Sequence, residues 1–193
     1  MRGSKMNGYI GEFKDSFLSC EKDSETILRK LFVDSRPYSD KLKKLLLINT
    51  PDCLDAVNPE YDKKIRQTSI QELIEKQYVR FSPKLFLNEN EEVKSYIRIS
   101  FDHFTPSENG HYRDCIVEID IICHPEYWDL GNCRQRPIKI MGYIDGILDK
   151  NKLSGIGTLN FMGANELVLD ENLAGYCLMY SATHGNDDLI GSE

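Results

Sequence analysis

The sequence predicts an α+β fold: an antiparallel or mixed β-sheet with one main helix packed on a face, plus an N-terminal helical region. Three observations predict it. In the stretch after His111, the residues Cys115, Val117, Ile119, Ile121 and Cys123 fall on one side of an alternating pattern, while Asp114, Glu118, Asp120 and His124 fall on the other. Strand side chains alternate, so one face is expected on a core and the other in water. Next, Ile140, Met141, Ile144, Ile147 and Leu148 recur at helical spacing behind Pro137, a residue suited to a first helical turn because it lacks an amide hydrogen. Third, the chain before Tyr78 is charged and amphipathic at helical spacing, after which the period changes to two.

Taken in order, Ile10, Phe13 and Phe17, then Ile27, Leu28, Leu31 and Phe32, mark short amphipathic helices. Ser39 is a good N-cap for a helix through Lys41 to Leu47, with Leu42, Leu45 and Leu46 on one face and Lys41, Lys43 and Lys44 on a solvated one. Asn49 to Glu60 holds Pro51 and Pro59 among polar residues and reads as a linker, the best candidate boundary. The chain therefore divides into a helical region, residues 1–76, available to clasp a neighbour, and an α/β domain, residues 77–193. Ser69 and Glu72 have capping-box spacing ahead of Ile70, Leu73 and Ile74. Tyr78 to Leu87 alternates but contains Pro83, which belongs at a sheet edge or a bulge. Ser95 to Phe104 puts Ile97, Ile99 and Phe101 on one face and Arg98, Ser100 and Asp102 on the other. With Pro106, Asn109 and Gly110 after it, this strand forms an antiparallel hairpin with the next. Asn151 to Gly157 is turn-rich, Thr158 to Leu169 supplies one or two short strands, and Ala174 to His184 closes the sheet. The tail from Gly185 carries Asn186, Asp187 and Asp188 and is expected to fray or to meet a neighbour.

A chain of 193 residues, 40% hydrophobic and 28% charged, is long enough to bury a core. Its net charge of −7 argues against a general binder of phosphate backbones, which shows a basic face. The six cysteines include no CxxC pair, so buried free thiols in a reducing cytoplasm are expected, not a metal ribbon or a disulfide framework. No run approaches the roughly 20 apolar residues that span a bilayer, so neither membrane insertion nor secretion is expected.

Two sets of residues invite a test for chemistry. Cys123, His124 and Cys133, with His103, His111 and His184, suggest zinc, but neighbours on a strand point to opposite faces and the spacing is unspecific. Asp114, Glu118 and Asp120, with His124, suggest a small acidic-site hydrolase. One wet face of an antiparallel sheet, neutralised by Arg98 or Arg113, explains the same carboxylates. Gly155 and Gly157 lack the third glycine and the helix of a dinucleotide loop and need only a turn. No catalytic, cofactor or metal site is therefore assigned. Tyr127, Trp128, Arg134 and Arg136 differ: aromatics and arginine dominate protein contacts, and all four share one long connection, so they are the candidate interface residues.

The order strand, long loop, strand, helix and closing strand carries a further signal. With Tyr112-Arg113-Asp114 before Val117 to Ile121, Arg136-Pro137 opening the helix, and Tyr143-Ile144-Asp145-Gly146-Ile147-Leu148 within it, residues Tyr78 to Asp188 resemble the tail-terminator and head–tail joining proteins of long-tailed bacteriophages. The resemblance implies a small α/β subunit of a hexameric ring. Such a ring caps the tail tube, receives a head connector or stopper, and lets genomic DNA pass through its lumen unbound. It also implies a virion protein that is not an enzyme, assembled in the host cytoplasm. The N-terminal helical region departs from the compact members of that family.

Overall fold

The computed structural model describes residues 20–55, 58–81, 94–107, 113–170 and 172–184. Ile10, Phe13, Phe17, Pro83, Asn109, Gly110, His111, Tyr112 and the acidic tail lie outside the described residues. Helix α1 covers residues 20–29 and continues as a π-turn, Lys30–Asp34. There follow α2 (Tyr38–Leu47), α3 (Pro59–Gln67), α4 (Ile70–Glu75), β1 (Val79–Arg80), β2 (Tyr96–Pro106), β3 (Arg113–Cys123), α5 (Arg136–Leu148), β4 (Lys152–Leu153), β5 (Gly157–Thr158), β6 (Asn160–Val168) and β7 (Ala174–His184). The main sheet has five strands in the order β1-β2-β3-β7-β6, and β4 pairs with β5 separately. Only the β1–β2 pair is parallel, so the sheet is mixed, as the α+β reading requires.

Cross-strand register places the apolar side chains together. Ile99, Ile119 and Leu178 stand side by side across β2, β3 and β7, as do Ile97, Ile121 and Tyr176. Burying such a row stabilises by about 25 cal/mol for each Å² removed from water. Helix α5 covers this face through Ile140, Ile144, Ile147 and Leu148, all buried. The same apolar cluster takes in Ile27, Leu31, Leu42, Leu45, Leu46, Ile65 and Leu73, so the N-terminal helices share one core with the sheet. The Tyr180 hydroxyl ties β7 to the last turns of α5 by donating to Asp145 Oδ1 at 3.0 Å. At Gly175, a Cβ would stand 1.7 Å from the carbonyl oxygen of Ile121, so β3 and β7 meet there at a separation that admits no side chain.

Four local expectations change. Ser39 is not the N-cap of α2: the helix starts at Tyr38, and the amides of Tyr38 and Ser39 both donate to the Ser35 carbonyl, which leaves Ser39 buried inside the first turn. The lysines are not simply a solvated face. Lys43 is buried and donates to the Thr68 carbonyl at 2.9 Å, its pKa lowered chiefly by that burial, while Lys44 pairs with Asp62 at 3.0 Å. Within the Asn49 to Glu60 stretch, Cys53 is fully buried and the Thr50 carbonyl accepts a hydrogen bond from Arg136, so its first part packs on the core. Finally, the polar face of the sheet is dry at one end, where Tyr96, Ile122 and Leu173 form a second small cluster and the Arg80 guanidinium lies 4.3 Å above the Tyr96 ring. Ser69 does cap α4, accepting from the Glu72 amide at 3.1 Å.

Candidate assembly surface

The connection from β3 to α5 is built by its own hydrogen bonds. The His124 ring accepts from the Glu126 amide at 3.2 Å and opens a short 3-10 turn, Pro125–Tyr127. Asp129 Oδ1 accepts from the Gly131 amide at 2.7 Å, and a bridge between Asp129 and Gln135 closes the loop. Gly131, Asn132 and Cys133 all have positive φ, which lets the chain reverse within a few residues. Half-buried Trp128 donates from Nε1 to Gln135 at 3.3 Å, and its ring lies 6.4 Å from that of Tyr176.

The two arginines of this connection serve the fold. Arg134 spans to Asp55 with both terminal nitrogens and donates to the Leu130 carbonyl at 3.1 Å. Arg136 has no exposed surface in the described protomer. Its guanidinium donates to the carbonyls of Leu45 at 2.6 Å, Ile48 at 2.9 Å, Thr50 at 3.0 Å and Tyr127 at 2.7 Å. A helix leaves its last carbonyls unpaired and carries partial negative charge there, so a buried cation at the end of α2 satisfies both demands. Of the four candidate interface residues, Tyr127 and Trp128 keep part of their surface in solvent, Arg134 is engaged with Asp55, and Arg136 is a clamp between α2 and α5.

The residues proposed for hydrolysis do not form one site: Glu118 and Asp120 meet at the Arg98 guanidinium, and Asp114 and His124 lie away from them. Asp114 and His124 are ten positions apart on and just beyond β3, about 33 Å along an extended chain. Asp120 is held by Arg98 at 2.5 Å, Glu118 lies 4.0 Å from the same guanidinium, and Asp114 accepts from the Thr183 hydroxyl at 2.7 Å. Burial, with Asp120 beside it, pushes the Cys177 thiol up to about 12, away from the thiolate form that nucleophilic chemistry needs. All six cysteines are free thiols. Among the described residues, no group of three or more His, Cys, Asp and Glu side chains is placed to hold a metal ion, and no helix is long and apolar enough to cross a membrane.

Strand β6 is the surface that the sequence described least. It stands at the edge of the sheet, bonded to β7 on one side, with no strand on its other side among the described residues. Phe161 is 45% exposed, Met162 57% and Val168 68%, with Leu169 just beyond at 40%. Natural edges are usually short, charged or broken by proline. This one runs nine residues with Glu166 as its sole charge and a register shift between Phe161 and Gly163. Its signal was present in the run Phe161-Met162 and the run Leu167-Val168-Leu169, but glycine and asparagine between them blur the alternation.

Comparison with known proteins adds a family and a partial structural likeness. No curated protein matches the chain significantly. A solved structure described as "Virion of native gene transfer agent (GTA) particle" contains a chain similar to this one at 14% identity. The match covers 64% of this chain and 90% of that one, with a TM-score of 0.40. The family model YomW matches residues 39–182, from within α2 to within β7, and the chain therefore belongs to the YomW family.

Proposed function

We propose that the protein is a structural subunit of a phage-type particle, repeated in a ring, a hexamer by analogy with tail terminators, that ends the tail tube and receives the head connector or stopper. The observation that carries this reading is the long edge at β6, which exposes Phe161, Met162 and Val168 and has no strand on its outer side among the described residues. An open edge presents unpaired amide and carbonyl groups that another chain's strand or loop can satisfy, and head-to-tail contacts that close on themselves make rings without covalent chemistry. The resemblance of Tyr78 to Asp188 to the tail-terminator family supports a place at the end of the tail. Genomic DNA passes through the lumen, and the net charge of −7 suits a conduit that does not retain it. The engaged state of Asp114, Glu118 and Asp120 favours this role over hydrolysis.

Imaging the purified protein alone and after mixing with tail tubes tests the proposal. The expected result is a closed ring that seats on one end of the tube. Rings that bind only the portal side would assign a connector or stopper role, and a monomer under both conditions would contradict the proposal.

A further inference from the structure

Among the described residues, exposed large apolar side chains gather chiefly at two places. One is β6 with the turn after it, where Val168 and Leu169 project. The amides of Leu169 and Asp170 both donate to the Leu173 carbonyl, at 3.0 and 3.3 Å, so this turn holds a defined shape. Glu166 and Val168 stand opposite Tyr176 and Ala174 of β7, two positions apart, so the carboxylate and the valine share one face. The other place is the outer face of α5, which carries a groove of about 380 Å³ lined by Tyr38, Ile138, Lys139, Gly142, Tyr143 and Gly146. Its wall is the pair of tyrosine rings, with centroids 5.9 Å apart, and the Lys41 ammonium lies 5.9 and 5.7 Å from them. A Cβ added at Gly142 or Gly146 would meet nothing within 4 Å, so the floor is open. Neither Glu166 nor the two lysines is ion-paired among the described residues.

We propose that the end of β6 in one copy of the chain seats Val168 and Leu169 in the α5 groove of the next copy, with Glu166 and Asp170 toward Lys41 and Lys139. Resting on the ring reading, this names the two surfaces that such a ring joins. Head-to-tail contacts between identical subunits need two different patches that fit each other. Here one patch projects aliphatic side chains flanked by acids, and the other is an apolar hollow flanked by bases. An apolar centre with a polar rim is the usual anatomy of a protein contact, and opposite charges at the rim fix its register. Two β6 edges meeting each other fit less well, because Glu166 and Asp170 would then enter one interface twice with no base from either strand. Such a pair would also close as a dimer and leave the groove empty.

Native mass measurement of two blocked full-length chains, alone and mixed, tests it. Gly142→Leu fills the groove and keeps the end of β6, while Val168→Lys spoils the end of β6 and keeps the groove. Each alone is expected as a monomer with the parent's circular dichroism, at concentrations where the parent is a closed oligomer. An equimolar mixture is expected as a dimer of one chain of each kind, because one intact end meets one intact groove and nothing further can add. Lys41→Glu with Lys139→Glu should raise the concentration needed for assembly about tenfold, and Glu166→Lys in the same chain should recover part of that loss. A Gly142→Leu chain that still self-associates, a mixture that stays monomeric at every concentration, or no recovery by Glu166→Lys would overturn this contact and leave the ring reading standing. A parent that is monomeric with and without tail tubes would overturn both.

Discussion

The connection between β3 and α5 and the edge strand β6 make opposite use of their residues. The connection carries Tyr127, Trp128, Arg134 and Arg136, the types that mark interfaces, yet it spends its arginines on the protomer itself: Arg136 is fully buried against the end of α2, and Arg134 reaches across to Asp55. Strand β6 has a composition that draws little notice and turns Phe161, Met162 and Val168 outward. Residue type alone does not separate the two uses, because a planar, multiply donating cation serves a partner's carboxylates and the protomer's own helix carbonyls equally well. What separates them is whether the orphan groups lie within the chain or beyond it.

This contrast can be broken on its inward side. Gly175→Ala should have the largest effect on stability, about 4 kcal/mol or more, because the new Cβ collides with the backbone of β3 1.7 Å away. Denaturant unfolding would show it, or the protein would not fold. Arg136→Ala should cost about 3–5 kcal/mol, since it orphans the carbonyls at the end of α2. A loss below about 0.5 kcal/mol, as expected of an exposed arginine, would return that residue to the outward class. Gly142→Ala moves the other way, raising stability by about 0.5–1 kcal/mol because the added methyl meets open space.

The smallest effect concerns the exposed pair on the connection. The Arg134 hydrogen bond holds the Asp55 carboxyl below its ordinary pKa. A depressed carboxylate pKa gives stability that is present above the unfolded value and lost as pH falls through the folded one. The parent is therefore expected to lose slight stability on the acid side, Asp55→Asn should remove that loss, and added salt should mask the difference between the two.

The fold was legible where periodicity was clean. The alternation of Cys115 to Cys123 and of Tyr176 to Ala182 marked β3 and β7, and the spacing from Ile140 to Leu148 marked α5. Boundaries set by tertiary bonding were not legible. The Ser35 carbonyl starts α2 ahead of Ser39, and the arginine that holds the 49–60 stretch lies more than eighty residues further along the chain. Of the candidate site, the connection was found but the direction of its arginines was hidden, because burial depends on what packs from distant sequence. The edge at β6 is not legible as a surface in the sequence, since being an edge is a property of strand order and no local pattern records it.

Native mass measurement of the full chain beside a Phe161→Asp, Val168→Lys variant is the most direct test of that difference. Val168 stands in solvent and Phe161 is 45% exposed with its ring 5.7 Å from that of Tyr180, so the variant should keep the parent's circular dichroism and lie within about 2 kcal/mol of its stability. The parent is expected as a closed oligomer and the variant as a folded monomer. A variant that assembles like the parent, or a parent that is monomeric at every concentration, would contradict the assignment of β6 as the assembly edge.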